Sequence, residues 1–315
     1  MPPSADQPIS RGVETSALHW GFLPALIALS VLHYMCAALA LQAAAGRPLP
    51  LREATLTQFT AAAANRLAPG GIGAAAVNVR YLTCRGLPAP RAIAGVTALH
   101  VATGLGDLLL FLTVLGVGQS TGDGGTRVLT QLTSHTARTA ARLPLPWLLV
   151  CAGVVAALAL FAWWRRRGQG GRVLATLGQI MTAMADLRRR PRDLLVTVTA
   201  TAATTLALSM AFVMSVLAVP GASAPGAIMT LLAAYFIGAA AGSALPVPAA
   251  IGSTEAGLIA ALGGAEVSAG HALQAVVLFR AITYWAPVPV GLYAARVLRR
   301  RSQAEPAAAV PVPAR

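Results

Sequence analysis

The chain has 315 residues, 56% hydrophobic and only 11% charged, and its net charge of +14 rests on arginine as the sole basic residue type besides histidine. A soluble domain carries about a quarter charged residues, whereas the windows 17–46, 143–164, 194–254 and 281–295 hold none here. Apolar stretches of about 20 residues span a bilayer as helices, so the composition argues against a soluble enzyme or a nucleic-acid-binding protein and predicts an all-α, polytopic transmembrane helical bundle.

Residues 1–16 are polar and read as a disordered N-terminus, with no basic start and apolar run that would make a cleavable signal peptide. Residues 17–45 form the first span, and 46–53 are a polar connection. Two short apolar pieces, 54–66 and 74–83, flank the stretch NRLAPGGIG. Residues 90–117 form the next span, with His100 and Asp107 inside it. A polar loop, 118–144, leads to a span at 145–164 closed by Trp163, Trp164 and three arginines, a placement that suits the membrane interface. In 172–190, Val173, Leu174, Leu177, Ile180, Met181 and Met184 share one helical face between arginines. That pattern predicts an amphipathic helix lying on the membrane surface. Residues 194–219 span again, 225–244 and 253–263 flank a second break, and 271–298 form the last span before a disordered tail at 299–315. One transmembrane domain, 17–298, is thus expected as two halves, 17–164 and 194–298, joined by the linker 165–193.

Arginines crowd 165–192 and 299–301, which places both segments on the cytoplasmic side of a cell membrane by the positive-inside rule. An even number of crossings must then separate them. The spans 194–219 and 271–298 supply two, so the broken pair between them returns to the side it entered, as a re-entrant hairpin. The pair 54–66 and 74–83 has the same form from the other side. The two breaks, APGGIGAAA at 68–76 and VPAAIGSTE at 247–255, align on Ile72-Gly73 and Ile251-Gly252. Interrupted helices at matching places in two halves of opposite orientation are the pattern of an inverted repeat around a binding site.

Non-helical backbone at membrane depth is tolerated only inside protein or beside a wet cavity, because lipid offers no hydrogen-bond partner. In PVPAAIGST, Pro246 and Pro248 end one helix, Gly252 permits an unusual backbone angle, and Ser253 or Thr254 can cap the next. The new helix then points its positive end into the cavity, which favours an anion. Glu255 lies in that helix's first turn and Arg280 well inside the last span. Intramembrane charges are costly and mark function or mutual pairing, so Glu255 either meets a substrate or pairs with Arg280, which can itself meet a phosphate. Asp107 is the other intramembrane acid; Tyr284, one turn beyond Arg280, reads as packing, and His33 as core. The sequence GAAAG at 238–242 reads as a face for close helix packing.

Cys36, Cys84 and Cys151 are scattered, with no paired motif and no Cys/His cluster, so neither a disulfide framework nor a metal site is expected, and no cofactor. GGIGAAA follows no strand and fails as a dinucleotide fingerprint.

Asn65, Pro69, Gly70 and Gly73 at the first break, then Pro248, Gly252, Glu255, Arg280 and Gly291, fall in an order and spacing that resembles the lysylphosphatidylglycerol synthase transmembrane, or flippase-like, family. The resemblance runs from about 20 to 298. It implies an all-helical domain that moves a lipid with a polar headgroup between leaflets. Some family members fuse this domain to a soluble aminoacyl transferase that is missing here, so no enzymatic activity is expected. Two departures stand out: Ala74 where many members carry Glu, and Thr103-Gly104 where many carry Glu-Arg before the acid at Asp107. The expected partner is a membrane phospholipid or lipid-linked carrier. Expected lipid contacts are Arg280, Glu255, Gly252, Ser253, Thr254, Pro248, Asn65, Pro69, Gly70, Gly73 and Asp107. The alternatives are a proton-coupled transporter of a small solute, working through Glu255 or Asp107, and a non-transporting partner of a separate synthase or glycosyltransferase.

Overall fold

Long apolar runs wind into helices that satisfy their own backbone, and four helices among the described residues are long and apolar enough to cross a membrane: Trp20–Ala45, Ala89–Val117, Pro191–Leu217 and Ala269–Leu298. The computed structural model describes residues 18–67, 72–120, 178, 181, 185, 188–222, 228–243 and 252–304. Every regular element among them is helical. A short turn, Trp20–Phe22, leads into α1 (Leu23–Ala45), followed by α2 (Leu51–Leu67), α3 (Gly73–Cys84) and α4 (Ala89–Ser120). After the linker come α5 (Pro191–Leu217), α6 (Ile228–Ser243), α7 (Ser253–Gly264), α8 (Ala269–Arg280), a π turn (Ala281–Trp285) and α9 (Pro287–Ala304). The span expected at 145–164 and nearly all of the amphipathic helix at 172–190 lie outside the described residues.

α1 and α5 run antiparallel. His19 N–H donates to the Ala218 carbonyl at one end, and Arg190 Nη1 donates to the Gly46 carbonyl at the other. Their contact fills with Leu26, Phe212, Val213 and Val216, all buried. A second core at the far end joins Leu41, Leu82 and Val96 from α1, α3 and α4 with Leu87 from the turn between α3 and α4. The outer face of α4 leaves Leu105, Leu108, Leu109 and Leu112 exposed, as suits a lipid-facing surface.

The two short-helix pairs are antiparallel hairpins. Glu53 pairs with Arg85, and Arg47 Nη1 donates to the Arg85 carbonyl, so the outer ends of α2 and α3 lie together with the end of α1 and the start of α4. In the other pair, a Cβ on Gly238 would meet the Gly257 carbonyl oxygen at 2.8 Å, and one on Gly242 would meet Thr254 N at 2.9 Å. Those glycines are the GAAAG face, and they let α6 and α7 touch backbone to backbone. This hairpin opens towards the end of α5, where Gly221 stands beside His271 at the start of α8. The hairpins therefore open at opposite ends of the bundle. α9 lies antiparallel to α2, with Tyr284 by Arg66 and Gly291 by Thr60, so its arginine tail emerges at the same end as Arg47, Arg91, Arg189 and Arg190.

The last span is not one α-helix. Pro287 has no N–H to give Thr283, and its ring would crowd that carbonyl. The preceding turn widens, and Ala286 N–H reaches back five residues to the Ala281 carbonyl at 2.8 Å.

Residues 72–100 and 252–280 share one helix–turn–helix pattern, position for position, at an offset of 180. The sequence alignment on Ile-Gly is off by one: Gly73 corresponds to Ser253, and Gly252 to Ile72. In both units the first helix ends with the same reversal, Leu87 N–H to the Leu82 carbonyl and Val267 N–H to the Leu262 carbonyl. That reversal needs a left-handed residue, which is Gly86 (φ 82°) in one unit and Glu266 (φ 63°) in the other. A side chain there costs about 1–2 kcal/mol, against about 0.5–1 kcal/mol of extra unfolded-state freedom for glycine. Glu266 is exposed. Glu266→Gly is expected to raise the melting temperature in detergent and Gly86→Ala to lower it.

Candidate functional site

The last turn of α2 and the first turn of α7 face one cavity. It has a volume of ≈ 330 Å³ and is lined from α1, α2, α5, α6, α7, α8 and the π turn, with Tyr34, Asn65, Arg66, Tyr235, Thr254, Arg280 and Tyr284 among its walls.

The second hairpin supplies an acid. Gly252 is the N-cap of α7 at φ 86° and ψ −46°, a conformation that side chains resist. The N-cap is thus Gly252 and not Ser253 or Thr254. Glu255 folds back, and its Oε2 accepts from Gly252 N–H at 2.7 Å. Its other oxygen, Oε1, lies 3.0 Å from Arg280 Nε. That approach is an ion pair without hydrogen-bond alignment, because Arg280 Nε has no hydrogen-bond partner among the described residues. One carboxylate thus closes the helix end and holds the arginine. The two side chains are 14% (Arg280) and 27% (Glu255) exposed, so the pair is largely withdrawn from solvent.

The first hairpin supplies a second cation. Arg66 ends α2, and its guanidinium stacks 4.1 Å from the centroid of Tyr284, while Arg280 lies 4.9 Å from the same ring. The Tyr34 hydroxyl is within hydrogen-bonding reach of Arg66. Arg66 Nε and Nη1 are buried with no hydrogen-bond partner among the described residues. Buried donors of this kind are expensive unless something accepts from them. Arg66 and Arg280 against Glu255 leave the cavity one positive charge in excess, and a face of α7's N-terminal end adds to it.

The structure brings together Arg280, Glu255, Thr254 and Asn65 from the residues that the sequence singles out. Gly252 and Ser253 stand beside them at the start of α7, with Ser253 buried. Asn65 also binds its own hairpin, accepting from Ala74 N–H at 3.4 Å. Gly73 serves packing: a Cβ there would meet Asn65 N at 2.8 Å. Asp107 is elsewhere, on α4, where it accepts from the Thr205 hydroxyl and is not among the cavity walls. Pro248, Pro69 and Gly70 lie outside the described residues. His33 and Tyr34 join the walls, His33 Nδ1 donating to the Thr204 carbonyl at 3.0 Å. Arg66 is the residue that sequence reasoning missed. Its signal was an arginine at the last turn of a helix that stops at a Pro-Gly break.

The family model described as Lysylphosphatidylglycerol synthase TM region matches residues 11–291. The chain belongs to this family. The match to the lysylphosphatidylglycerol synthase TM region takes in every wall of the cavity, both hairpins and the π turn. No curated protein matches the chain. Within this chain, the unit-to-unit correspondence sets His100 where Arg280 stands and Ala75 where Glu255 stands. The charged pair is therefore present in one unit only, while the other unit's hairpin contributes Arg66.

Proposed function

We propose that the protein moves a phosphate-bearing polar lipid between the leaflets of the cell membrane. In this reading the two units form an inverted repeat, both hairpins are re-entrant, and the arginine end of the bundle faces the cytoplasm. The observation that carries it is the cavity beside the last turn of α2 and the first turn of α7, where Arg66 and Arg280 outnumber Glu255 and Arg66 keeps two buried donors without an acceptor among the described residues. At 1.5 Å per residue the 12 residues of α7 reach about 18 Å, which sets their tips near the middle of a hydrocarbon core about 30 Å thick. A phosphate diester fits that setting: it carries one negative charge and oxygens to accept from guanidinium N–H groups. Its acyl chains would stay in lipid while the headgroup crosses through the protein.

The test is lipid movement in vesicles that hold the purified protein and a trace of fluorescent phosphatidylglycerol. A membrane-impermeant reductant should bleach the inner-leaflet label as well as the outer. Arg66→Ala, checked for folding, is expected to slow that second phase at least tenfold, or about 1.4 kcal/mol. An unchanged rate in the folded variant would sink the assignment.

A further inference from the structure

A second cavity, of ≈ 550 Å³, lies at the arginine end of the bundle and shares no wall with the first. Arg47, Arg91, Arg189 and Arg190 line it, and no acidic side chain among the described residues does. None of the four is in an ion pair among the described residues. Two are anchored by single N–H bonds to carbonyls left open at helix ends: Arg190 to Gly46 at 3.4 Å, and Arg47 to Arg85 at 3.1 Å. Arg91 and Arg189 make no side-chain hydrogen bond among the described residues. Gly46 is fitted to this use. It is left-handed at φ 61°, and a Cβ on it would collide with the Arg190 guanidinium. The starts of two long helices, α4 and α5, open at the same place and add their positive ends. Among the described residues the acid beside Arg190 is Asp193, in the first turn of α5, and setting it against the four arginines leaves three positive charges. The other neighbour, Glu53, is held by Arg85.

Like charges do not gather around an opening without a counter-charge, and basic pockets between helices at a membrane surface suit anionic headgroups. A cavity of this volume is also within the range that ligands occupy. One phosphate diester would leave most of the charge unmatched. We propose that this cavity binds a ligand with two phosphate groups, either the headgroup of a diphosphate phospholipid in the adjoining leaflet or a soluble diphosphate. The site is separate from the central cavity and does not depend on lipid movement through it.

Thermal unfolding of the full chain in neutral detergent tests this, with diphosphatidylglycerol, phosphatidylglycerol, phosphatidylcholine and inorganic pyrophosphate as separate additions. A saturating diphosphate ligand is expected to raise the melting temperature by several degrees. A shift from the lipid alone identifies the membrane source, and one from pyrophosphate identifies the soluble source. The combined variant Arg91→Gln/Arg189→Gln should weaken the apparent affinity at least tenfold, while Arg66→Ala should leave it alone. No shift from either diphosphate, an equal shift in the double variant, or an equal shift from phosphatidylglycerol would overturn the proposal. Should the double variant not fold, native mass spectrometry of the unaltered protein decides. One diphosphatidylglycerol retained per chain and displaced by pyrophosphate is expected; neither lipid nor pyrophosphate adduct overturns the site.

Discussion

Glu255→Ala and Glu255→Gln are expected to separate what one carboxylate does twice. The alanine variant loses the acceptor for Gly252 N–H, a helix cap of about 1 kcal/mol. It also leaves Arg280 without its counter-charge. Breaking a buried ion pair on one side costs about 3–5 kcal/mol, and the partial exposure of both groups puts the value here at the lower end or below. The glutamine variant keeps an oxygen for Gly252 N–H and loses only the charge. Its melting temperature should therefore fall less than that of the alanine variant. Their transport phenotypes follow from charge. Without the carboxylate the cavity rises from one excess positive charge to two, so a phosphate lipid should be held longer and released more slowly. Glu255→Gln is expected to slow movement in vesicles while co-purifying with more anionic lipid, and Arg280→Ala to slow it while retaining less. Equal lipid retention in the two would show that neither charge meets the phosphate.

The second large effect concerns backbone contact. Gly242→Val should separate α6 from α7 and abolish recovery of folded protein. A Cβ at Gly242 would meet Ser253 O and Thr254 N at 2.9 Å, and one at Gly238 would meet Leu258 Cα at 2.8 Å. These neighbours are backbone of a helix that is itself packed, so nothing small can move aside. Overpacking of this sort costs about 1–3 kcal/mol where side chains can yield, and more where they cannot. The control is Gly104→Ala. Its added Cβ meets nothing within 4 Å, and alanine favours the helix by about 1 kcal/mol. Size-exclusion profiles in detergent should show Gly104→Ala eluting like the unaltered protein and Gly242→Val aggregated. A monodisperse Gly242→Val would mean that the two helices do not touch as described.

Much of this architecture is legible in the sequence because the membrane enforces it. Charge-free runs have to be helices, and Pro-Gly breaks have to sit where backbone is sheltered. What escaped reading depends on contacts between distant elements. Arg66 looks like an ordinary basic residue at the end of a short apolar stretch until the π turn lays Tyr284 across it. Tyr284 read as packing, and it does pack, but between two guanidiniums. Ser253 and Thr254 were reasonable caps by residue type, yet Glu255 reaches Gly252 N–H first because Gly252 takes an angle that redirects the chain. The two breaks align one residue off because Ile-Gly is common to both, while the helix starts correspond at an offset of 180.

The π turn at Ala281–Trp285 carries one consequence for the geometry of the last span. A turn with one residue more than an α-turn acts as an insertion, and each inserted residue advances the winding by about 100°. α8 and α9 are thus one rod with a phase step in its middle. The step lets Arg280 line the cavity while Gly291 lies against Phe59 and Ala63 of α2. Removing a single residue between 281 and 285 would turn α9 by about 100° against α8 and bring a different face of it against the first hairpin. The length of that short segment, more than the identity of most of its residues, fixes how the two hairpins come into register.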